Sequence, residues 1–386
     1  MAKTLRVGMV GYGFMGKVHS NAWRQAPHFF PLKAKVELHT ICGRNSSAVQ
    51  TARAQLGWQF AVTDWQEVIE SPLIEVVDIV APNESHAEIA QAAARAGKHV
   101  LCEKPLASDV KQAAAMHAAA QRAKIGHMVC HNYRFVPAIA QARKLIAEGV
   151  LGRIHHYRAR YAQDWLDEAE VATRWKAESS GSTAHGDMSV HLIDLGRFLV
   201  GEFKEVCGLT GVFLPEQPPA TQSGRGVSAP ARMRQKQRAR ANVDDAATLI
   251  GHFENGAMAN LEATRCAAGR KNQVWLEING SKGSLCFDFE DLNRLKFYEG
   301  GASPDRQGFR DILVTQPGGI HPYVGQWWGA GNTLGFEHTY IHLIADFING
   351  CVERKPLTPS FEDGLKNQRV VEALEESVKT RKWVKV

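Results

Sequence analysis

The chain has 386 residues, which is enough for two or three domains of roughly 150 residues, each with a sizeable core. Apolar residues make up 44% of it and charged residues 22%, values that exclude a disordered protein, a collagen-like repeat and a coiled coil. Lys and Arg total 46 against 40 for Asp and Glu, and six basic residues fall in one stretch that holds no acidic residue: Arg225, Arg232, Arg234, Lys236, Arg238 and Arg240. One basic stretch without interleaved aromatic residues argues against nucleic-acid binding.

The seven cysteines are scattered along the chain, with no Cys-x-x-Cys pair and no Cys/His set at zinc spacing. We therefore expect reduced thiols and no metal site. The first residues lead directly into a strand pattern without a signal peptide, and no apolar run reaches the ~18 residues that span a bilayer. The sequence predicts a cytoplasmic protein that makes no membrane contact.

Short β-rich runs alternate with amphipathic stretches in the first third of the chain. Strands are expected at 5–10, 36–42, 76–81, 99–102 and 125–129, and helices at 17–24, 46–57, 85–96 and 109–123. Alternating strands and helices at this spacing predict a parallel, doubly wound sheet.

A glycine-rich run, Gly11-Tyr12-Gly13-Phe14-Met15-Gly16, follows the first strand and opens the first helix. In this context the pattern is typical of a dinucleotide-binding loop. The first glycine permits the tight turn, the second lets the backbone approach a pyrophosphate, and the third allows the helix to pack close to the strand. Residues 1–130 are thus predicted to form a Rossmann domain, with Gly11, Gly13, Phe14, Met15 and Gly16 at the cofactor.

The end of the second strand bears on the choice between NAD and NADP. A carboxylate at this point accepts hydrogen bonds from the ribose hydroxyls of NAD, but the sequence here reads Cys42-Gly43-Arg44. Arg44 is suited to a 2′-phosphate, which an arginine binds with a charge-assisted fork. The sequence slightly favours NADP over NAD, the alternative being a solvated arginine at the start of a helix.

The pattern changes after residue 130. Helices are expected at 136–147, 189–199, 339–349 and 361–379, and strands at 206–214, 247–253, 258–263, 273–279 and 284–289, with Asn-Gly turns at 255–256 and 279–280. Residues 131–386 are predicted to form an α+β domain with a large, mainly antiparallel open sheet. Residues 215–242, which contain the basic stretch, are interpreted as a long loop. Three roles stay open for this loop: a solvated loop, a lid for an anionic substrate, or an oligomer contact.

Glu103-Lys104-Pro105 follows the strand at 99–102, on the edge where doubly wound sheets bind their ligands. Together with the glycine loop this run resembles the Gfo/Idh/MocA family of sugar and polyol oxidoreductases. Further landmarks in the same order are Pro82-Asn83 with His86, Asn132-Tyr133-Arg134, Trp175-Lys176, and Gly186-Asp187 with His191. They span both predicted domains.

The resemblance implies roles for residues outside the glycine loop. Cofactor contacts are implied for Pro82, Asn83, His86, Glu103, Lys104, Asn132 and Trp175. Substrate contacts are implied for Lys104, Tyr133, Gln163, Trp165, Asp187, His191 and Arg265. The family usually has Arg where this chain has Lys176, a departure that bears on the substrate. The family also pairs subunits through the antiparallel sheet, so a homodimer or homotetramer is expected.

The chemistry of alcohol oxidation agrees with three of these residues. Asp187 and His191 are four residues apart, so a helix would project both from one face. His191 is the candidate general base, since an imidazole pKa near ~6.5 suits proton exchange at neutral pH. Lys104 would donate a hydrogen bond to the carbinol oxygen, and Asp187 would bind a neighbouring hydroxyl. The residue types leave open whether Lys104 or His191 is the general base. Separately, Pro105 makes the Lys104–Pro105 peptide bond a candidate for the cis form.

Each of these residues also has a structural interpretation when taken alone. A histidine on an apolar helix is often a core residue, a lysine at a strand end can be a surface charge, and an aspartate can cap a helix. The function expected from the combination is an NAD(P)-dependent dehydrogenase that oxidises a ring hydroxyl of a sugar, anhydrosugar or cyclic polyol to a ketone. An NAD-dependent glycosidase and a non-catalytic cofactor-binding sensor are the alternatives.

Overall fold

The computed structural model describes residues 3–165, 183–213 and 244–386. Its contacts divide the chain into two compact units. The first contains residues 1–148, 292–295 and 311–369, and the second contains residues 149–291, 296–310 and 370–386. This division differs from a single boundary at residue 130, because a late helix packs on the first helix of the chain.

The first unit is built on a six-stranded parallel sheet. Its strands are β1 (Thr4–Val10), β2 (Lys35–Cys42), β3 (Phe60–Val62), β4 (Val76–Ile79), β5 (His99–Cys102) and β6 (His127–Val129). They lie in the order β3-β2-β1-β4-β5-β6, which is the order of a Rossmann sheet. Both the predicted fold class and the expected alternation of strands and helices are confirmed.

Helices cover the parallel sheet. They are α1 (Phe14–Phe29), α2 (Ser46–Leu56), α3 (Trp65–Glu70), α4 (His86–Arg95) and α5 (Val110–Ala123), and α6 (Pro137–Ala147) follows the last strand of the sheet in the chain. Asn45, Asp64 and Asp109 cap α2, α3 and α5, each accepting a hydrogen bond from a main-chain N–H of the first turn. These caps set where the helices begin after the strand ends.

One core of this unit joins the sheet to a helix from late in the chain, α9 (Phe336–Glu353). Trp23 of α1 is fully buried and packs edge-to-face on Phe347 of α9, with ring centroids 6.1 Å apart. Burying aromatic rings of this size contributes roughly 1.5–3 kcal/mol each relative to exposure. This packing explains why residues 311–369 belong to the first unit.

The second unit is built on a nine-stranded mixed sheet. Its strands are β7 (Ile154–Ala162), β8 (Phe203–Gly211), β9 (Ala246–Phe253), β10 (Met258–Thr264), β11 (Gln273–Gly280), β12 (Gly283–Asp288), β13 (Arg294–Glu299), β14 (Arg310–Leu313) and β15 (Val384–Lys385). They lie in the order β14-β13-β12-β11-β7-β10-β9-β8-β15. Most neighbours are antiparallel, as predicted, but β7 and β10 run parallel.

Three helices complete the described parts of the second half of the chain: α7 (Ala184–Asp187), α8 (Ser189–Leu199) and α10 (Phe361–Thr380). Helix α8 packs on one face of the mixed sheet, where the Tyr157 hydroxyl of β7 donates a hydrogen bond of 2.8 Å to the carbonyl of Leu192. Among the described residues, no helix is long and apolar enough to cross a membrane. The whole predicted loop at 215–242, with the basic stretch that it contains, lies outside the described residues.

Candidate active site

The glycine loop joins β1 to α1 at the carboxyl edge of the parallel sheet. Gly11 has φ +114°, and its N–H donates to the carbonyl of Cys42 at 2.9 Å. A Cβ on Gly11 would lie 2.5 Å from the carbonyl oxygen of Val80, and one on Gly16 would lie 3.0 Å from the Gly11 oxygen. The turn and the close approach of helix to strand therefore both need glycine here.

Gly13 is different, since a Cβ there would meet no atom of the described residues within 4 Å. It caps the N-terminus of α1, where the first N–H groups of the helix have no partner within the helix. A side chain would fill the open space in front of these donors, which is the space a pyrophosphate needs. Phe14 is 72% exposed and Met15 is half-buried, at the same end of the helix. The loop fits a dinucleotide.

The end of β2 explains why the sequence lacks a carboxylate at residue 43. The ring of Tyr12 lies over Gly43 so closely that a Cβ on Gly43 would overlap it. A carboxylate there would require the tyrosine to move. Arg44 beside it is exposed, and Asn45 begins α2 by accepting the Ala48 N–H at 2.9 Å.

His86 ties together the two segments that follow β4 and β5. It is fully buried, with Nε2 2.9 Å from the carbonyl oxygen of Ala81 and Nδ1 3.0 Å from that of Pro105. Burial lowers the pKa of His86, while the carbonyls act in the opposite direction. The ring therefore braces the chain beside Pro82 and Asn83, and a direct contact of His86 with a cofactor remains a prediction.

Lys104 begins the segment that His86 braces. The Lys104–Pro105 peptide bond is cis, as the sequence suggested. The main-chain N–H of Lys104 donates to Oε2 of Glu103 at 3.0 Å, and Glu103 is buried. The neighbouring predicted residues Asn132 and Tyr133 are also buried, and the Asn132 amide donates to the Thr339 hydroxyl at 2.9 Å.

Within the second unit the structure brings together five predicted residues: Gln163, Trp165, Asp187, His191 and Arg265. The Trp165 indole N–H donates to the Gln163 amide oxygen at 2.8 Å. Arg265 is fully buried, its Nη2 donates to the Asp187 carboxylate at 2.8 Å, and its guanidinium carbon lies 5.7 Å from the centre of the Trp165 ring. This set combines donors, acceptors and an aromatic face, which are the groups that bind a carbohydrate.

Asp187 and His191 do not share one continuous helix. Asp187 ends α7, His191 lies in the first turn of α8, and Met188 stands between the two helices. His191 is buried, and its ring meets the ring of Tyr161 edge-to-face at 5.8 Å. The prediction that one helix projects Asp187 and His191 from a single face is therefore wrong, because the two residues lie in consecutive helices.

Two residues that contact this set, Tyr161 and Asn272, were missed by sequence reasoning. Asn272 accepts hydrogen bonds from the Tyr161 hydroxyl and from the Gln163 amide, both at 2.9 Å. Tyr161 lies in β7, a strand that the sequence did not predict, and Asn272 precedes β11. The only sequence signal for them was a polar residue at the end of a strand. Such a residue does not indicate which groups will be its hydrogen-bond partners.

An ion-pair network fixes the start of the helix that ends at Asp187. His185 Nδ1 lies 2.8 Å from Asp244, and its Nε2 lies 3.0 Å from Glu375. Burial opposes protonation, but the two carboxylates outweigh it and raise the pKa of His185 to about 9. The main-chain N–H of Ala184 also donates to Asp244, at 2.7 Å.

The landmarks Trp175 and Lys176 lie outside the described residues. Trp175 was a predicted cofactor contact, and that role stays a prediction.

Comparison with known proteins shows two family models that match the chain. One, described as an oxidoreductase family with an NAD-binding Rossmann fold, matches residues 5–131. The other, described as the GFO/IDH/MocA C-terminal domain, matches residues 139–286. The first match ends at residue 131 and the second begins at residue 139.

Among curated proteins, the chain is 39% identical to levoglucosan dehydrogenase of Pseudarthrobacter phenanthrenivorans, over all of this chain and 98% of that protein. Among solved structures, an oxidoreductase domain protein from Kribbella flavida has a TM-score of 0.90 at 45% identity, covering 100% of this chain and 99% of that one. A complex of levoglucosan dehydrogenase with NADH and levoglucosan has a TM-score of 0.90 at 38% identity, covering all of both chains.

Proposed function

The chain belongs to the Gfo/Idh/MocA family of oxidoreductases, and we propose that it oxidises a ring hydroxyl of an anhydrosugar to a ketone with a nicotinamide dinucleotide. It is an NAD-binding oxidoreductase of the sugar and polyol dehydrogenase type. The observation that carries the proposed substrate class is the set of Gln163, Trp165 and Arg265 around Asp187. The family resemblance implies substrate contacts for these residues, and the relative that is 39% identical over the whole chain is a levoglucosan dehydrogenase.

The bound dinucleotide supplies a nicotinamide ring that accepts the hydride from the carbinol carbon. The glycine loop and the N-terminus of α1 hold its pyrophosphate. Lys104 donates a hydrogen bond to the carbinol oxygen and stabilises the negative charge that develops there. His191 takes the hydroxyl proton, while Asp187 binds a neighbouring hydroxyl and is held by Arg265. The assignment of Lys104 and the glycine loop to the same reaction as Asp187 and His191 rests on the family resemblance.

The test is the absorbance at 340 nm of the purified protein mixed with NAD or NADP and a panel of anhydrosugars, inositols, aldoses and sugar phosphates. A rise with an anhydrosugar supports the proposal. A rise with another class alone contradicts the proposed substrate and keeps the dehydrogenase. Cleavage of a glycoside without net reduction of the dinucleotide would instead support the glycosidase.

We propose NADP as the preferred dinucleotide, because Arg44 is exposed at the end of β2 and Tyr12 occupies the space above Gly43. Arg44→Ala is expected to weaken NADP binding by about 10-fold or more and NAD binding by little, since only NADP carries the 2′-phosphate. Fluorescence titration with each dinucleotide measures both constants. Arg53→Ala is the matched control, because it removes a charge from the last turn of α2, the helix that follows Arg44. Equal weakening of NAD and NADP by Arg44→Ala would contradict the preference, and the NADH complex of the 38%-identical relative would then be the better guide.

We further propose that two copies pair through the outer face of the mixed sheet. Leu209, Ile250 and Met258 are exposed apolar side chains on this face, which is opposite the one that α8 covers. Exposed apolar groups in neighbouring strands are typical of an interface. Light scattering should give at least twice the mass of one chain, and Ile250→Lys should reduce it. A stable monomer of the unchanged protein would refute the pairing.

A further inference from the structure

A cluster of buried ionisable residues lies beneath the glycine loop, within the first unit. It contains His19 of α1, Asp78 of β4 and Glu103 after β5, and all three are buried. His19 Nδ1 lies 3.0 Å from each carboxylate oxygen of Asp78, and His19 Nε2 lies 3.1 Å from Oε1 of Glu103. The indole N–H of Trp23 also donates to Asp78, at 2.7 Å.

The charged form of His19 satisfies both carboxylate contacts at once. A neutral imidazole has one N–H and can donate to one carboxylate, whereas the imidazolium donates from both nitrogens. Burial alone would lower the pKa of His19, but Asp78 and Glu103 outweigh burial and raise it to about 10. A buried cation between two carboxylates is held in a fixed position, because leaving any of the three charges unpaired is costly.

A metal ion is the other ligand that this cluster suggests, since ligand atoms of His19, Glu103 and Cys130 lie within 4.8 Å of one another. A metal needs the lone pair of the imidazole, however, and both ring nitrogens of His19 already face carboxylate oxygens, an arrangement that the imidazolium satisfies by donating from both. Burial also raises the pKa of the Cys130 thiol. The cluster is therefore better suited to holding a proton than a metal ion.

The cluster is connected to Lys104 through Glu103. One carboxylate oxygen of Glu103 faces His19, and the other accepts the main-chain N–H of Lys104 at 3.0 Å. Both carboxylate oxygens of Glu103 thus have a partner. His19 of α1 fixes the position of the carboxylate, and the carboxylate in turn fixes the main chain at Lys104. The helix that carries the phosphate loop is in this way linked to the lysine at the end of β5.

We propose that His19 is a positioning residue that holds Lys104 in place through Glu103. This inference rests on the proposed role of Lys104 in the dehydrogenase. His19 does not itself touch the substrate in this proposal. Its contribution is to fix the backbone from which the Lys104 side chain reaches the carbinol oxygen, and small displacements of a catalytic group are costly to turnover.

Two isosteric variants separate the contacts of His19. The amide of Asn places an N–H near the Nδ1 position, and the amide of Gln places one near the Nε2 position, so His19→Asn keeps a donor for Asp78 and His19→Gln keeps a donor for Glu103. We expect His19→Asn to lower kcat by about 10- to 100-fold and His19→Gln by less than about 3-fold. The dissociation constant of the dinucleotide, measured by fluorescence titration, should change little in both.

Trp23→Phe is the matched control. It removes the hydrogen bond to Asp78 from the same buried cluster but leaves the contact between His19 and Glu103. It should lower the melting temperature without lowering kcat. If Trp23→Phe lowers kcat as much as His19→Asn, or if His19→Asn and His19→Gln have equal kcat, the positioning role is refuted.

A measurement on the unchanged protein covers the case in which the His19 variants do not fold. Nitrogen-15 NMR of histidine-labelled protein at pH 8 should show both ring nitrogens of His19 protonated, and a neutral ring would overturn the inference. Failure of the proposed function is distinguishable, because the unchanged protein would then show no turnover, and failure of the proposed role of Lys104 would show as turnover retained by Lys104→Ala. If Lys104→Ala is inactive and the His19 variants turn over normally, only the positioning inference fails.

Discussion

Replacing Lys104 by alanine is expected to lower kcat by about 10²- to 10⁴-fold, the contribution typical of a positioned proton donor or acceptor and its charge. The dissociation constant of the dinucleotide should change little, because the glycine loop and the N-terminus of α1 provide the main phosphate contacts. Steady-state rates at 340 nm give kcat, and fluorescence titration gives the dissociation constant. His191→Ala should have an effect of the same order.

Lys98 offers a matched lysine in the same unit. It is buried, and its Nζ donates to the carbonyl oxygens of Ser71 and Ile74 at 2.7 Å each. Lys98→Met should lower the free energy of unfolding by about 1–3 kcal/mol, because both carbonyls lose a buried donor, and should leave kcat unchanged. Turnover retained by Lys104→Ala, or lost equally in Lys98→Met, would contradict the catalytic role of Lys104.

The Rossmann half of the fold was predictable because its signals are local. The glycine loop, the apolar strands and the helix caps each act over a few residues, and the parallel order follows from alternating strands and helices. The short β3 and α3 were not expected, since a strand of three residues and a helix of six carry too little periodicity.

The central strand of the second half was missed for a different reason. Residues of β7 on the outer face include Arg158 and Arg160, so the segment reads as polar, although Tyr157 and Tyr161 on its other face are buried. Its place between β10 and β11 depends on pairing with segments about 100 residues later. Such non-local pairing is not visible in a local pattern.

The candidate site shows the same limit. The residue types at the strand ends were identified from motifs, but their partners depend on packing. The sequence shows that residue 43 carries no carboxylate but not why, whereas the structure shows the ring of Tyr12 in the space that a side chain on Gly43 would occupy. The carbonyl partners of His86 and the bridging position of His19 are likewise properties of the folded chain, since they join residues that lie 5 to 84 positions apart.

Arg265→Met is expected to lower kcat/KM for the sugar by about 100-fold while leaving dinucleotide binding unchanged. Arg265 is fully buried, donates to Asp187 at 2.8 Å and lies over Trp165, so its loss removes the group that orients both. Arg265→Lys keeps the charge but not the planar fork, and an intermediate value is expected. Initial rates over a range of sugar concentrations separate KM from kcat.

Arg197→Met distinguishes a role in substrate binding from a general loss of stability. Arg197 lies in α8, is also buried, and pairs with Glu202 through two hydrogen bonds of 2.6 and 2.9 Å. Because the two arginines make comparable ion pairs in the same unit, both variants should lower the melting temperature. Only Arg265→Met should raise KM, since Glu202 has no predicted substrate contact and Asp187 does. Equal effects on KM would mean that the Arg265–Asp187 pair serves the fold and not the recognition of the sugar.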